Sequence, residues 1–307
     1  VPAATHGIWA ATACRLSALA GKPRPEVHRG GSYPKLVSFL RAVEDGYHDV
    51  PYHNSCHAAD VLCRLSAILL AERMCHDGTP QSRGLLLATL VAAVIHDYDH
   101  PGTDNAFQVN EGTKAARSFN HRMVLENNSL FQCLEMLRSP RMDLWSEFGI
   151  NPTHATQLVI ELVLATDMTR HFDIVGEFES KVVASLETQR IDNACDFLHS
   201  LDEPKRRLTL SVALKIADVG HACAPSHAHE RWSKCLEREF AQQGELDLKS
   251  GREPAILKHP QKPSVTDPSN QAAFFNIIAI PMLTSWTKAF PSSGNCLLHQ
   301  AKTNLRH

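Results

Sequence analysis

Apolar residues recur along this chain at helical rather than strand spacing. Ala58, Val61, Leu62, Leu65, Ile68 and Leu69 follow the i, i+3, i+4, i+7 pattern that gives a helix one buried face. Pro51 precedes this stretch and Gly78-Thr79-Pro80 ends it. A second helix is predicted from Gly84 to His96; it is apolar on nearly every side and therefore central, and Pro101-Gly102 stops it. Further helices read from Ala115 to Leu137, Thr153 to Met168, Ile174 to Leu186, Leu208 to Val219, His229 to Gln242, and Asn270 to Ala289 around Pro281. The Pro-, Lys- and Ser-rich stretch from Gly244 to Pro268 reads as a mobile loop. No repeat, low-complexity tract or true linker interrupts the pattern. The expectation is a single all-α domain over 1–307, a compact bundle of many helices with its site in a deep pocket between them.

Composition narrows the function classes. Hydrophobic residues make up 43% and charged residues 21%, an ordinary globular balance. A formal charge of −2 gives no electrostatic case for a nucleic-acid surface or a polybasic membrane anchor. The run Leu85 to Ile95 is far shorter than the ~18 apolar residues that span a bilayer. The first residues, VPAATHGIWAATACRLSALAG, lack the pattern of a signal peptide. Nine scattered cysteines, with no CxxC pair, suggest a reducing interior rather than a disulfide framework. Histidine is the anomaly, with 18 residues. Imidazole is the commonest metal ligand and the usual acid or base near neutral pH.

Three separated segments concentrate candidate ligands. In Tyr52-His53-Asn54-Ser55-Cys56-His57, the two histidines stand one helical turn apart. His96-Asp97-Tyr98-Asp99-His100 emerges at the end of the most apolar helix, and Asp218 ends another apolar run, followed by His221. A lone histidine at a helix end is usually a surface or satisfied core residue. Three such clusters, each abutting an apolar helix where an unpaired charge is costly, favour a divalent metal site. A bridging carboxylate can hold a second, harder ion, and such a pair suits displacement at phosphorus: it polarises phosphate oxygens and activates a water. A histidine beside the metals, not bound to them, could protonate the leaving oxygen.

The runs YHNSCHAADV (52–61) and HDYDHPGTDN (96–105) resemble the signature of the class I 3′,5′-cyclic nucleotide phosphodiesterases. VLEN, LVLATDMTRHF, KIADVGH, ERWSKCLEREFAQQG and QAAFFNIIAIPMLTSW follow in family order, and the likeness covers about four-fifths of the chain, with its core at 52–290. The resemblance implies an all-α catalytic domain that hydrolyses cAMP, cGMP or both to 5′-monophosphates. It implies His57, His96, Asp97 and Asp218 as ligands of a tightly held zinc, with Asp97 also contacting a second ion, magnesium or manganese. It implies His53 as the general acid, His100, Glu126 and Thr166 as residues around the metal-bound waters, and Gln271, Phe274, His221 and Tyr52 as substrate contacts. It also implies cytoplasmic signalling, with regulatory domains or a membrane tether lying outside this segment.

This chain departs from the family pattern at Asn128 and Ser129, where many members carry two histidines, and at His221, where several cAMP-selective members carry asparagine. Ile277, Ala279 and Ile280 supply no side chain to pin the Gln271 amide, and the tail after Trp286 is short. Dual specificity, or a modest preference, and a purine side less closed than usual are therefore expected. Two other readings share parts of the pattern. Another His-Asp metallophosphohydrolase, acting on dNTPs or cyclic dinucleotides, would be separated by a substrate panel. A non-catalytic nucleotide sensor would bind cyclic nucleotide without releasing product.

Overall fold

Every residue from Leu86 to Ile95 is buried, and this run forms the centre of the molecule. The structure is a computed structural model that describes residues 33–74, 79–186, 197, 198 and 200–306. Among these residues there are helices and turns and no strand. The principal helices are α1 (Pro34–Asp45), α2 (Ser55–Ala71), α3 (Pro80–Ile95), α4 (Asn105–Asn110), α5 (Lys114–Ser118), α6 (Val124–Arg138), α7 (Leu144–Phe148) and α8 (Pro152–Leu164). They continue with α9 (His171–Phe178), α10 (Glu203–Asp218), α11 (Ser226–Lys249), α12 (Pro268–Ala273), α13 (Ile280–Ala289) and α14 (Pro291–Asn304). The central α3 packs against α2, α6, α8 and α10, so the ends of these helices meet at one end of the core. The reading of the first residues, and Cys14, Cys75, Gly78 and Cys195, lie outside the described residues.

Several boundaries differ from the periodicity, each for a local reason. Helix α3 starts at Pro80 because the Thr79 hydroxyl accepts from the Ser82 N–H at 3.2 Å, an N-cap that hydrophobic spacing does not register. The single helix expected from Ala115 to Leu137 is two helices, α5 and α6. Between them Asn120, His121 and Met123 adopt left-handed φ of 53°, 59° and 43°. Asn105 steadies the entry to α6, its carbonyl oxygen accepting from the Leu125 N–H at 2.9 Å.

The helix expected from His229 to Gln242 runs on to Lys249, so the irregular stretch is shorter than predicted and is tied down. Gly244 lies inside α11 where the Lys258 carbonyl crosses it; a Cβ there would sit 1.9 Å from that oxygen. The Lys258 ammonium, 7% exposed, pairs with Asp104. The helix over 268–289 is interrupted by a π turn, Phe274–Ala279. Pro281 has no N–H to offer the preceding turn and its ring crowds that turn's carbonyl, and a wider turn relieves both. The tail is not an open end. Helix α14 packs on α13, and Asn304 Nδ2 donates to the carbonyls of Ala222 and Ala224 at 2.9 and 2.8 Å, closing the turn that carries His221.

Candidate active site

Four side chains from three helix ends converge at one end of α3. Asn54 caps α2, its side-chain oxygen accepting from the N–H groups of Cys56 and His57 at 2.9 and 3.2 Å, which fixes the turn bearing His57. His96 and Asp97 follow α3 directly, and Asp218 is the last residue of α10. One ligating atom from each of His57, His96, Asp97 and Asp218 lies within 4.8 Å of every other. His57 Nε2 is 3.1 Å from Asp218 Oδ1 and 3.5 Å from Asp97 Oδ2.

The chemistry of this set fits a divalent cation. His96 Nδ1 lies 2.9 Å from the Ala93 carbonyl, which can only accept, so Nδ1 carries the proton and Nε2 presents its lone pair. That Nε2 is buried without a hydrogen-bond partner, 2.9 Å from Asp97 Oδ2 and 3.4 Å from Asp218 Oδ1. Lone pairs crowded in this way require a positive charge between them. In its absence a proton must serve: burial disfavours the charged imidazole of His96, but Asp97 and Asp218 outweigh it and raise its pKa well above the ordinary value. Burial likewise acts against the Asp97 and Asp218 carboxylates, but the neighbouring histidines hold both below the ordinary range.

The loop that presents these ligands is held from outside. Asp99 adopts a left-handed φ of 61°, and its carboxylate is bonded by His48 Nε2 at 2.8 Å, Asn128 Nδ2 at 3.0 Å and Gln132 Nε2 at 2.5 Å. Ser129 Oγ donates to the His96 carbonyl at 3.1 Å. Asn128 and Ser129, which depart from the family pattern, thus brace the ligand loop without entering the metal cluster.

His53 stands beside the cluster, its ring centroid 5.9 Å from that of His57 and stacked on His100 at 4.0 Å. Its Nδ1 is bonded to Glu239 Oε1, and Glu239 Oε2 accepts from the N–H groups of Tyr52 and His53 at 2.8 and 3.1 Å. Burial lowers the His53 imidazole, but Asp97 and Glu239 more than reverse this, so it stays protonated above its ordinary range. Burial also works against the Glu239 carboxylate, but His53 and the two backbone donors hold it at about 2. His100 Nδ1 accepts from the Gly102 N–H at 3.1 Å, so its ring is neutral; burial and His53 push it down to about 3.

Glu126 accepts from Asn105 Nδ2 at 2.9 Å, and burial, with Asp167 and Asp97 nearby, raises it to about 7. The Thr166 hydroxyl, in a residue 7% exposed, donates to the Val163 carbonyl at 2.8 Å. Tyr52 is set back, 6% exposed, with its ring 4.7 Å from His57, 5.5 Å from Trp232 and 6.1 Å from His221. It lies between His57 of the cluster and His221.

Beyond His221 the Gln271 amide is not free. Its Nε2 donates to the Val265 carbonyl at 2.7 Å, and its Oε1 lies 3.0 Å from His229 Nε2. Because the Val265 oxygen can only accept, the amide orientation is fixed, His229 must donate from Nε2, and its Nδ1 accepts from His221 Nδ1 at 3.0 Å. Burial lowers both imidazoles, His221 to about 3, which keeps this chain of bonds neutral. The pin comes from His229 on α11 and from the Val265 backbone rather than from positions 277–280. Phe274 lies parallel to His221, 5.9 Å between centroids and 2° between planes, so Gln271 and Phe274 border the same histidine pair. Arg64 Nη1 holds the adjacent Gly220 carbonyl at 2.6 Å.

Sequence reasoning missed Glu239 and His229, both on α11. Its buried residues His229, Ser233, Glu239, Gln243 and Asp247 form a polar stripe at roughly helical spacing, and that stripe is the signal that could have found them.

The fold and the site define a helical protein with a cluster of two imidazoles and two carboxylates that could hold a metal ion, and a histidine–glutamate pair beside it. Residues 52–300 match the family model of 3′,5′-cyclic nucleotide phosphodiesterases, and the chain belongs to that family. It is 36% identical over 219 residues to the dual specificity calcium/calmodulin-dependent 3′,5′-cyclic nucleotide phosphodiesterase 1B of Homo sapiens, covering 70% of this chain and 37% of that protein. It is 30% identical over 282 residues to the 3′,5′-cyclic-AMP phosphodiesterase 4C of Mus musculus, covering 88% of this chain and 38% of that protein. The chain therefore spans under two-fifths of the length of these curated relatives. The phosphodiesterase domain of Salpingoeca rosetta rhodopsin phosphodiesterase superposes with a TM-score of 0.80 at 25% identity, over 98% of this chain and 85% of that one. No helix among the described residues is long and apolar enough to cross a membrane.

Proposed function

We propose that this chain hydrolyses 3′,5′-cyclic nucleotides to 5′-monophosphates. The observation that carries the proposal is the seating of the His53–Glu239 pair against the His57–His96–Asp97–Asp218 cluster. Two imidazoles and two carboxylates around one point suit zinc. Asp97 also suits contact with a harder second ion, magnesium or manganese, held otherwise mostly by waters, with Glu126 beside them. When bound, the two ions supply polarisation of the phosphate oxygens and a water acidic enough to attack phosphorus.

The rest of the work falls to the chain's own groups. His53, with Nδ1 tied to Glu239, keeps Nε2 for the substrate and gives its proton to the 3′ oxygen as the P–O3′ bond breaks and a water oxygen bonds to phosphorus. Glu239 favours the charged imidazole before that transfer. Thr166 and Glu126 offer oxygens to water in the cavity. Phe274 offers a ring face to the purine, and Gln271, whose other lone pair and N–H remain open, reads its edge. Since the amide is fixed, we assign a preference for one base. Free thiols at Cys56, Cys63, Cys133, Cys223, Cys235 and Cys296 suit a reducing, cytoplasmic setting.

The test is a substrate panel with zinc and magnesium present: cAMP, cGMP, a cyclic dinucleotide and a dNTP. Only the first two should yield 5′-monophosphate, and Asp218→Ala should abolish turnover and lower bound zinc. Nucleotide binding without release of 5′-monophosphate would overturn the proposal in favour of a sensor.

A further inference from the structure

A cavity of about 480 Å³ lies between α11, α12 and the end of α14. Its volume falls within the range of about 300–1,000 Å³ typical of small-molecule sites. Gln271 and His229 form part of its wall, but Phe274, Tyr52 and His221 do not, nor does any of His57, His96, Asp97 and Asp218. The Gln271–His229 pair is therefore a partition, with His221 and Phe274 on one side and this second cavity on the other. Phe275 completes the partition. Its ring stands 65° from that of its neighbour Phe274, meets His229 edge-on at 5.2 Å, and lines the second cavity.

The polar groups of this cavity are incompletely matched by the protein itself. Ser233 lines it and is only 3% exposed, and its Oγ is buried without a hydrogen-bond partner. A hydroxyl left so is costly, and a ligand atom that bonds to it recovers the loss. At the rim stand two cations, Lys234 and Arg306, against one carboxylate, Glu230. Lys234 and Glu230 face each other loosely at 3.9 Å, whereas the Arg306 guanidinium has no acidic partner among the described residues. Between the rim and Ser233 the surface is apolar, supplied by Ala272, Phe275 and Leu305.

We propose that this cavity binds a small aromatic carboxylate and that its occupancy sharpens the choice of base at Gln271. The second half of the proposal rests on the cyclic nucleotide reading above. The carboxylate meets Arg306, the ring packs on Phe275 and Ala272, and a ring N–H donates to Ser233 Oγ. A ligand seated there fills the space into which the His229 and Gln271 side chains would turn if their bond opened. The orientation set by the Val265 carbonyl is then favoured further. The coupling is reciprocal, so the preferred nucleotide tightens the ligand by the same factor.

Indole-3-acetate carries the required carboxylate, ring and N–H, and indole-3-acetamide has the same shape without the charge. Both are titrated calorimetrically into the protein with zinc and magnesium present. The carboxylate should bind about fivefold more tightly than the amide, the size of effect that an exposed ion pair allows, and Arg306→Gln should erase that difference. Ser233→Met fills the cavity and should abolish binding; Arg306→Gln, at an exposed position, carries the test if the methionine variant does not fold. Saturating indole-3-acetate should widen the ratio of kcat/KM between cAMP and cGMP by about fivefold, the low end of common couplings, and should leave the ratio of Ser233→Met unchanged. No binding by the wild type, equal affinity for the acetate and the amide, or binding untouched by both substitutions overturns the site. Binding with an unaltered ratio overturns the coupling. A protein that binds the probe and turns over neither nucleotide supports the site and strikes the cyclic nucleotide reading instead.

Discussion

Replacing Glu239 with glutamine isolates the acid from the metals. The amide oxygen can still accept from the Tyr52 and His53 N–H groups, so the backbone stays in place. What remains toward His53 Nδ1 is then an NH₂ group, which donates where the carboxylate accepted. The imidazole is forced to its neutral form with Nδ1 unprotonated. Nε2 still bears a hydrogen, but a neutral imidazole is a far weaker acid than the imidazolium that Glu239 and Asp97 favour.

General acid catalysis contributes about 10²–10⁴-fold, and because some protonation through water survives, a loss of about 10²–10³ in kcat is expected. The sign of the pH effect follows from the raised His53 value. The acid is competent while protonated, so activity falls as pH rises through its pKa; without Glu239 that basic limb should move to lower pH. The assay is kcat/KM for the preferred cyclic nucleotide from pH 5 to 9, with bound zinc measured on the same samples. A phosphodiester analogue whose leaving group needs no proton should recover most of the loss. A variant within threefold of wild type, with its basic limb unmoved, would refute the assignment of His53 and Glu239 as one acid.

Two further outcomes follow from the same geometry. His229→Phe removes the donor to Gln271 Oε1 and should shrink the ratio of kcat/KM between cAMP and cGMP while leaving bound metal unchanged; an unaltered ratio would show that the pin does not set base preference. Glu126 has a folded-state value raised from 4.5 to about 7, so the folded chain holds its proton more tightly and metal-free stability is lost as pH rises through that window, by about 3 kcal/mol at pH 8. Glu126→Gln should therefore raise the melting temperature of chelated protein at pH 8 and not at pH 4, and thermal unfolding at the two pH values checks this.

The sequence was most readable where chemistry and secondary structure share one short segment. His57 and His96-Asp97 could be read because each sits within a turn of a helix whose apolar face was already visible. Glu239 was harder to read: the polar stripe on α11 marks its face, but its partners Tyr52 and His53 lie 187 and 186 residues away, and the stripe does not name them. His229 was hidden in the same way, inside a helix that looks solvent-facing, and with it the pin on Gln271. The break between α5 and α6 depends on left-handed residues that hydropathy does not record. Helix α14 has only a weak apolar face, and Asn304, bonded to Ala222 and Ala224, anchors it more by hydrogen bonds than by periodicity.

The four clustered side chains lie at positions 57, 96, 97 and 218, so the cluster cannot exist until α2, α3 and α10 have docked. Long loops must close before any ion is held by the full set, and contacts of that separation form late on the way to the native state. A bound ion therefore acts on the exit from the folded state rather than on entry to it. It slows unfolding while leaving the rate of folding nearly unchanged, because stabilisation absent from the transition state falls on the unfolding limb. On the proposed reading an ion held by this cluster is in kinetic terms a latch on a finished bundle, and the helices that form the cluster must find one another unaided.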